Sequence, residues 1–282
     1  MADCVVYAGG EFVPESKATV PVLDYGFLYG DGVWDGMRVY GGKVFRLEEH
    51  LERLYDLAHV CSIEIPISPA EMTGIIMELL KRNGYPEQAY VRPIVTRGVG
   101  PNPPGITSNG CRPNVYVLFH SWVSAPPTPV KLKITGQRRR PPDCLPVAKT
   151  LCFMDSTMAR LEARRWGADM ALLLDVAGNI AESDGNNFFM VKRGEILTPP
   201  TRYILPGITR KVAMEMAKEL GIPVTEKDLA PSNAYAADES FVTSTGGGIV
   251  PVESIDGRAM RGGSPGPITA RVMEQYERVV CA

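Results

Sequence analysis

The spacing of apolar positions predicts a series of hairpins, helices and strands in the first half of the chain. Short apolar runs flank Gly9-Gly10 and Gly41-Gly42, a pattern typical of two β-hairpins. One helix is predicted at 70–82. An earlier helix is predicted from four apolar residues that share one helix face: Leu47, Leu51, Leu54 and Ala58. Apolar runs at 89–96 and 115–119 predict strands.

The second half of the chain shows a similar alternation after a segment rich in proline and serine. Strands are predicted at 131–135, 170–174, 188–191, 223–225 and 240–243, and helices at 156–166, after Gly207 and at 269–279. We therefore predict an α+β protein with a small N-terminal domain over 1–120, a linker over 121–130 and a larger domain over 131–282.

Composition excludes several classes of function. The 282 residues are 45% hydrophobic with a formal net charge of −2, so a sizeable core is expected and no basic stripe indicates nucleic-acid binding. Arg138-Arg139-Arg140 is the one basic run and precedes two prolines, which is typical of a solvated loop. No apolar run approaches the roughly 20 residues of a membrane span, and no secretory leader is expected.

The cysteines and histidines indicate neither disulfides nor a metal site. Six scattered cysteines form no Cys-x-x-Cys pair, and three histidines have no spacing typical of metal ligands. We therefore expect reduced thiols, a cytoplasmic protein and no metal.

Two segments are candidate anion sites. Leu205-Pro-Gly-Ile-Thr-Arg210 begins a helix abruptly, and the first turn of a helix offers unpartnered N–H groups and the positive end of the dipole. Thr243-Ser-Thr-Gly-Gly-Gly248 offers hydroxyls and consecutive N–H groups that can surround an anion. An ordinary helix start and a flexible loop are the alternatives.

Two charged residues are candidates for the chemistry itself. Lys149 lies in an apolar neighbourhood, and burial makes a lysine amine a better nucleophile and base. Glu182 follows a turn between two apolar strands and can point into a cleft. The alternatives are a surface lysine with a packed stem and a solvated carboxylate.

The order of these segments resembles the class IV, or fold type IV, aminotransferases, which depend on pyridoxal 5′-phosphate (PLP). Lys149-Thr-Leu, Gly178-Asn-Ile-Ala-Glu182, the two candidate anion sites and, earlier in the chain, Asp24–Tyr40 with His50-Leu-Glu-Arg53 carry the resemblance. It implies a small N-terminal α/β domain, a larger barrel-like C-terminal α/β domain, an active site between them and a homodimer.

The resemblance also implies a role for each cofactor residue. Lys149 would carry the cofactor covalently, and Glu182 would face its pyridine nitrogen. The phosphate would be bound by Arg53, the backbone of Ile208 and Thr209, and the hydroxyl of Thr245. Family members often have a tyrosine after the lysine that reaches the phenolic oxygen, but this chain has Phe153 there.

The substrate is predicted from the first half of the chain. Residues expected to bind it are Tyr29, Trp34, Tyr90, Arg92 and Arg97, with the N–H groups of Gly246 and Gly247. Gln88–Pro93 resembles the branched-chain enzymes, whereas Thr96-Arg97-Gly98 resembles those that act on D-amino acids, although their arginine-x-histidine motif is missing. Core packing is the alternative for Tyr29 and Trp34.

We therefore expect transfer of an amino group from a branched-chain L-amino acid to a 2-oxo acid such as 2-oxoglutarate. An (R)-selective amine or D-amino-acid transaminase is the main alternative. An aminodeoxychorismate lyase would share the cofactor residues and differ in the substrate pocket. A non-catalytic binding protein is disfavoured because Lys149, Glu182 and Arg53 are all present.

Overall fold

The computed structural model describes residues 3–101, 110–122, 126–139 and 149–281. Part of the predicted linker, Arg140 and the residues just before Lys149 therefore lie outside the described residues. The chain divides into two compact units, one formed by Met1–Ser124 with Ala148–Cys152 and the other by Ala125–Val147 with Phe153–Ala282. No helix in the described ranges is long and apolar enough to cross a membrane.

The first unit is built on an antiparallel sheet, seven-stranded within the described residues, whose strands follow the order β2-β1-β7-β6-β4-β5, with β3 paired to β6. The strands are β1 (Val5–Ala8), β2 (Glu11–Pro14), β3 (Gly32–Trp34), β4 (Met37–Tyr40), β5 (Lys43–Val44), β6 (Gln88–Val99) and β7 (Arg112–Ser121). The helices are α1 (Tyr25–Tyr29), α2 (Leu47–Val60) and α3 (Pro69–Arg82).

The core of the first unit lies where α2 and α3 cover the sheet. Leu51 and Leu54 of α2 and Ile76 and Leu79 of α3 are buried in one cluster with apolar residues of β4, β6 and β7. Both predicted Gly-Gly hairpins form, with Ala8 opposite Glu11 and Tyr40 opposite Lys43. Both predicted helices form as well, so local periodicity was sufficient here.

The segment that contains Lys149 packs with the first unit, although the predicted boundaries put it in the second. Thr150 forms a bridge with Val33, and the N–H of Leu151 donates to the carbonyl of Gly32 over 3.0 Å. These contacts extend β3 by a short stretch of backbone that is distant in sequence.

The second unit contains a sheet that is nine-stranded within the described residues, and six of its strands close into a ring in the order β8-β9-β10-β11-β14-β15. The strands are β8 (Val130–Arg138), β9 (Met170–Leu174), β10 (Ile180–Ser183), β11 (Asn187–Lys192), β12 (Glu195–Thr198), β13 (Val224–Glu226), β14 (Glu239–Ser244), β15 (Gly248–Ile255) and β16 (Arg258–Ala259). The helices are α4 (Met154–Arg165), α5 (Ile208–Glu219), α6 (Pro231–Tyr235) and α7 (Pro267–Val280).

The closed ring agrees with the predicted α+β class and its barrel-like C-terminal part. Phe188, Val242 and Val252 are buried together in its apolar core. The short strands β3, β10, β12 and β16 and the short helices α1 and α6 were not predicted. Two to five residues are too few to show a periodicity, and the strands are recognised by their pairing with neighbouring strands.

Candidate active site

Three consecutive residues of the first unit, Trp34, Asp35 and Gly36, each contact a different group of predicted site residues. Trp34 ends β3, and the N–H of Asp35 donates to the carbonyl of Pro93 in β6 over 3.0 Å. These backbone contacts fix the tripeptide to β6, the central strand of the sheet.

Trp34 brings together Lys149 and Arg92. The Lys149 Nζ atom lies 4.1 Å from the centroid of the indole ring, and the Arg92 Cζ atom lies 3.6 Å from it. Trp34 also donates its backbone N–H to the Lys149 carbonyl over 2.9 Å and its Nε1–H to the Thr150 carbonyl over 3.1 Å. The indole is thus a common surface for two cations, which its π-face attracts.

Arg92 has the properties expected of a group that binds a carboxylate. Its Nε atom is buried and has no hydrogen-bond partner among the described residues. Burial lowers the pKa of its guanidinium. Because a buried donor without a partner is costly, an anionic ligand is a favourable partner for this side chain.

Asp35 orients Arg53, the predicted phosphate-binding arginine on α2. The Arg53 Nε and Nη2 atoms donate to the two Asp35 oxygens over 2.8 Å each, and His50 Nδ1 lies 2.9 Å from Oδ1. Asp35 is 1% exposed. Burial alone would raise the pKa of this carboxyl, but Arg53 and His50 outweigh it and hold the pKa well below its ordinary value.

Gly36 determines the position of Tyr90. A Cβ atom on residue 36 would lie 1.9 Å from the Tyr90 hydroxyl oxygen, so the ring occupies space that only glycine leaves open. Burial raises the pKa of Tyr90, and its hydroxyl is a hydrogen-bond donor at neutral pH. Tyr90 and Arg92 stand two positions apart on one strand, which places both side chains on the same face.

Arg97 and Tyr29 have other surroundings. The Arg97 guanidinium pairs with Asp31 and donates to the carbonyls of Ser62 and Cys61 over 2.8 and 2.9 Å. The Tyr29 ring packs edge-on against Tyr25, with centroids 5.3 Å apart. These contacts stabilise the local fold, and substrate binding by Arg97 and Tyr29 stays a prediction.

In the second unit, strand register aligns Glu182, Asn187 and Thr243. Glu182 of β10 pairs with Asn187 of β11, and Asn187 pairs with Thr243 of β14. Glu182 is 4% exposed, so it is not the solvated carboxylate that the turn sequence alone would favour. The Asn187 Nδ2 atom donates to Glu182 Oε2 over 3.0 Å and to the carbonyl of Leu205 over 2.9 Å.

Asn187 therefore connects the buried carboxylate to the start of α5. The helix begins at Ile208 as predicted, with Gly207 as the N-cap and no side-chain cap, and Thr209 lies in its first turn. A Cβ on Gly207 would lie 2.1 Å from Asn187 Oδ1, so the loop approaches this amide as closely as only glycine permits. The N–H groups of this first turn can bind an anion.

The predicted glycine loop follows β14 directly. The Gly247 N–H donates to the Ser244 hydroxyl over 3.1 Å, and Gly248 has a φ of 64°, which a glycine adopts without strain. Thr245 precedes the three glycines in sequence and stands two positions after Thr243 of the aligned row.

Three residues were given no role in the sequence analysis. Asp35 and His50 lie in segments that carry the family resemblance, but no local pattern shows that they contact each other and that Asp35 pairs with Arg53. Arg139 was assigned to a solvated basic run, but its side chain is 12% exposed and its Nε atom lies 3.1 Å from Glu182 Oε1. That assignment was wrong because the carboxylates that pair with Arg139 are distant in sequence.

The comparisons with known proteins point to one family. A family model described as amino-transferase class IV matches residues 32–255. A putative branched-chain-amino-acid aminotransferase of Methanocaldococcus jannaschii is 41% identical over 97% of this chain and 96% of its own length.

Two solved structures have the same fold. The branched-chain aminotransferase of Thermoproteus uzoniensis, in complex with norvaline, superimposes with a TM-score of 0.92 at 34% identity, covering 99% of this chain and 95% of that one. The PLP form of the branched-chain amino acid aminotransferase of Thermobaculum terrenum gives a TM-score of 0.92 at 29% identity, covering 99% and 94%.

The Asp35→Asn variant tests the buried ion pair. Loss of the carboxylate leaves Arg53 without its charge partner, so the free energy of unfolding at neutral pH should fall by about 3 kcal/mol. Because the folded pKa of Asp35 is lowered, its stabilisation is complete above the ordinary aspartate pKa of about 3.9 and is lost as the pH falls below it. Urea unfolding should show a gap between wild type and variant that narrows in acid.

The matched control is Glu78→Gln, which removes a surface pair with Arg82 on α3. It should change stability by less than about 1 kcal/mol at either pH. A gap for Asp35→Asn that stayed constant into acid would contradict the assigned pKa direction.

Proposed function

Since the chain belongs to the class IV aminotransferase family, we propose that it uses PLP to move the amino group of a branched-chain L-amino acid to 2-oxoglutarate. Family membership establishes an aminotransferase with amino-acid and 2-oxo-acid substrates. The proposal therefore concerns which of these substrates are used and which residues act on them.

The donor groups of the second unit fit PLP. The Glu182 carboxylate is buried and can accept a hydrogen bond from a pyridine N–H, because each carboxylate oxygen has two lone pairs. The uncapped first turn of α5 and the Thr245 hydroxyl suit a phosphate. The PLP form of the related Thermobaculum terrenum enzyme supports the same cofactor. When bound, PLP supplies an electron sink for the carbanion at the substrate Cα.

Lys149 is the residue proposed to hold the cofactor and to move the proton. Its amine would bind PLP covalently and, once released by the substrate, would take the proton from the substrate Cα and deliver it to the C4′ carbon of the cofactor. The indole of Trp34 lies beside this amine, with its centroid 4.1 Å from the Lys149 Nζ atom. Arg53, oriented by Asp35, is proposed as a further phosphate ligand.

The observation that carries the substrate class is the stacking of Lys149 and Arg92 on one indole ring. Arg92 offers to a carboxylate a guanidinium whose Nε atom is buried, and Lys149 offers the reacting amine. The carboxylate and the amino group of an α-amino acid match these two groups. The similarity to branched-chain aminotransferases, and the norvaline in the structure of one of them, support this assignment.

We also propose that the chain forms a homodimer. Residues 20–28 expose several large apolar side chains, among them Phe27, which is 68% exposed, and Val22, which is 67% exposed. Such patches are rarely left open to water on a monomer.

Sedimentation equilibrium tests the homodimer. Wild type should sediment as a dimer, and Phe27→Asp should shift the population towards monomer. Val60→Asp, at an exposed apolar position on α2, should have no effect. A wild-type monomer would contradict this part of the proposal.

Lys149→Ala should abolish turnover. Transamination is expected to fall at least about a thousandfold, because the variant has no amine to move the proton. The visible absorbance that PLP acquires on bonding to the protein should also be lost. Lys131→Ala, at an exposed lysine of the second unit, should retain both properties. Transamination near the wild-type rate in Lys149→Ala would refute the role of this residue.

A panel of amino donors with 2-oxoglutarate tests the substrate class. Leucine, isoleucine and valine should have kcat/KM values at least about 100-fold above those of D-alanine and (R)-1-phenylethylamine. Activity with the last two donors, together with inert leucine, isoleucine and valine, would replace the proposal with its main alternative.

A further inference from the structure

Arg139 lies against Glu182, and the proposed function gives it no role. It directly follows β8, and its backbone N–H donates to the carbonyl of Leu174 at the end of β9 over 2.9 Å. The Nε atom lies 3.1 Å from Glu182 Oε1, and the side chains are 12% and 6% exposed. This is a largely buried ion pair, which needs several partners to offset its desolvation.

The first turn of α4 supplies those partners. The Arg139 Nη1 atom lies 3.2 Å from the Ser156 hydroxyl and 3.5 Å from Asp155 Oδ2. The Asp155 Oδ1 atom accepts from the Ser156 N–H over 2.8 Å, which fixes this carboxylate. On its other side, Nη2 donates to the carbonyl of Ser183 over 3.3 Å. Arg139 is therefore fixed from both α4 and β10.

The two oxygens of Glu182 are held from opposite sides. The Arg139 Nε atom forms an ion pair with Oε1 but no hydrogen bond among the described residues, whereas Asn187 and the N–H of Leu205 donate to Oε2 over 3.0 and 3.3 Å. Contacts on both oxygens restrict the orientation of the carboxylate.

We propose that Arg139, anchored by Asp155 and Ser156, is a positioning residue that keeps the Glu182 carboxylate ionised and oriented towards the pyridine N–H of the cofactor. This inference rests on the proposed function. Without an opposite charge nearby, a buried carboxylate favours its protonated form. The protonated oxygen is itself a hydrogen-bond donor, so it opposes the donor N–H of the pyridine. A guanidinium at contact distance favours the ionised form, which accepts that hydrogen bond. Arg139 acts through Glu182 and touches neither substrate nor cofactor in this account.

A double-mutant cycle on PLP affinity tests the proposal. PLP is titrated into cofactor-free wild type, Arg139→Met, Glu182→Gln and the double variant. Arg139→Met should weaken binding about tenfold in the wild-type background and less than about twofold in the Glu182→Gln background, because its effect passes through that carboxylate. Arg139→Lys, which keeps the charge, should recover most of the loss.

A matched control and a milder variant separate positioning from general damage. Arg138→Met changes the adjacent exposed arginine, whose guanidinium donates to nearby carbonyls, and should leave PLP affinity unchanged. Asp155→Asn weakens one anchor of Arg139 and should give a smaller loss that also disappears with Glu182→Gln. If Arg139→Met does not fold, Asp155→Asn completes the same cycle.

The outcomes distinguish this inference from the proposed function. Wild type that does not bind PLP overturns the proposed function, and this inference with it. If wild type binds PLP and the Arg139 variants lose the same PLP affinity in both backgrounds, or lose none in either, only the proposed role of Arg139 is overturned. The pH dependence of the absorbance of bound PLP should also shift in Arg139→Met, which a purely structural role would not cause.

Discussion

The buried ion pair between Asp35 and Arg53 is the contact on which the site in the first unit depends. A carboxylate that is 1% exposed is tolerated only when opposite charge and hydrogen bonds surround it, and Arg53, His50 and the Gly36 N–H do so. These contacts hold the Asp35 side chain in place. The neighbouring residues are then fixed as well, with Trp34 against Lys149 and Arg92 and Gly36 against Tyr90.

In the second unit, the site residues are positioned by strand register and by the side-chain amide of Asn187. Glu182, Asn187 and Thr243 lie opposite one another on three adjacent strands, and a shift of one residue would turn Glu182 to the other face. Asn187 also binds the carbonyl of Leu205, so the buried carboxylate and the start of α5 have a fixed separation. The two groups proposed to hold opposite ends of the cofactor are thereby linked through one side chain of β11.

Local sequence predicted the elements whose stability is local. The Gly-Gly hairpins and the helices α2 and α3 follow from turn residues and helical spacing alone. The burial of Glu182 could not be predicted, because a four-residue strand of mixed polarity is recognised only by its pairing with β9 and β11. The difference between Arg92 and Arg97 also depends on the fold, since Asp31 pairs with Arg97, whereas no described residue accepts a hydrogen bond from the Nε atom of Arg92.

The central claim is that Lys149 is the amine that holds PLP and moves the substrate proton, and mapping the covalent attachment of PLP tests it most directly. The chain is loaded with PLP, reduced with borohydride so that the bond becomes permanent, digested and analysed by peptide mass spectrometry. The account predicts that the phosphopyridoxyl group is found on Lys149 and is absent after an excess of amino donor without 2-oxo acid has been added before reduction. Stoichiometric label on a different lysine, with Lys149 unmodified, would contradict it.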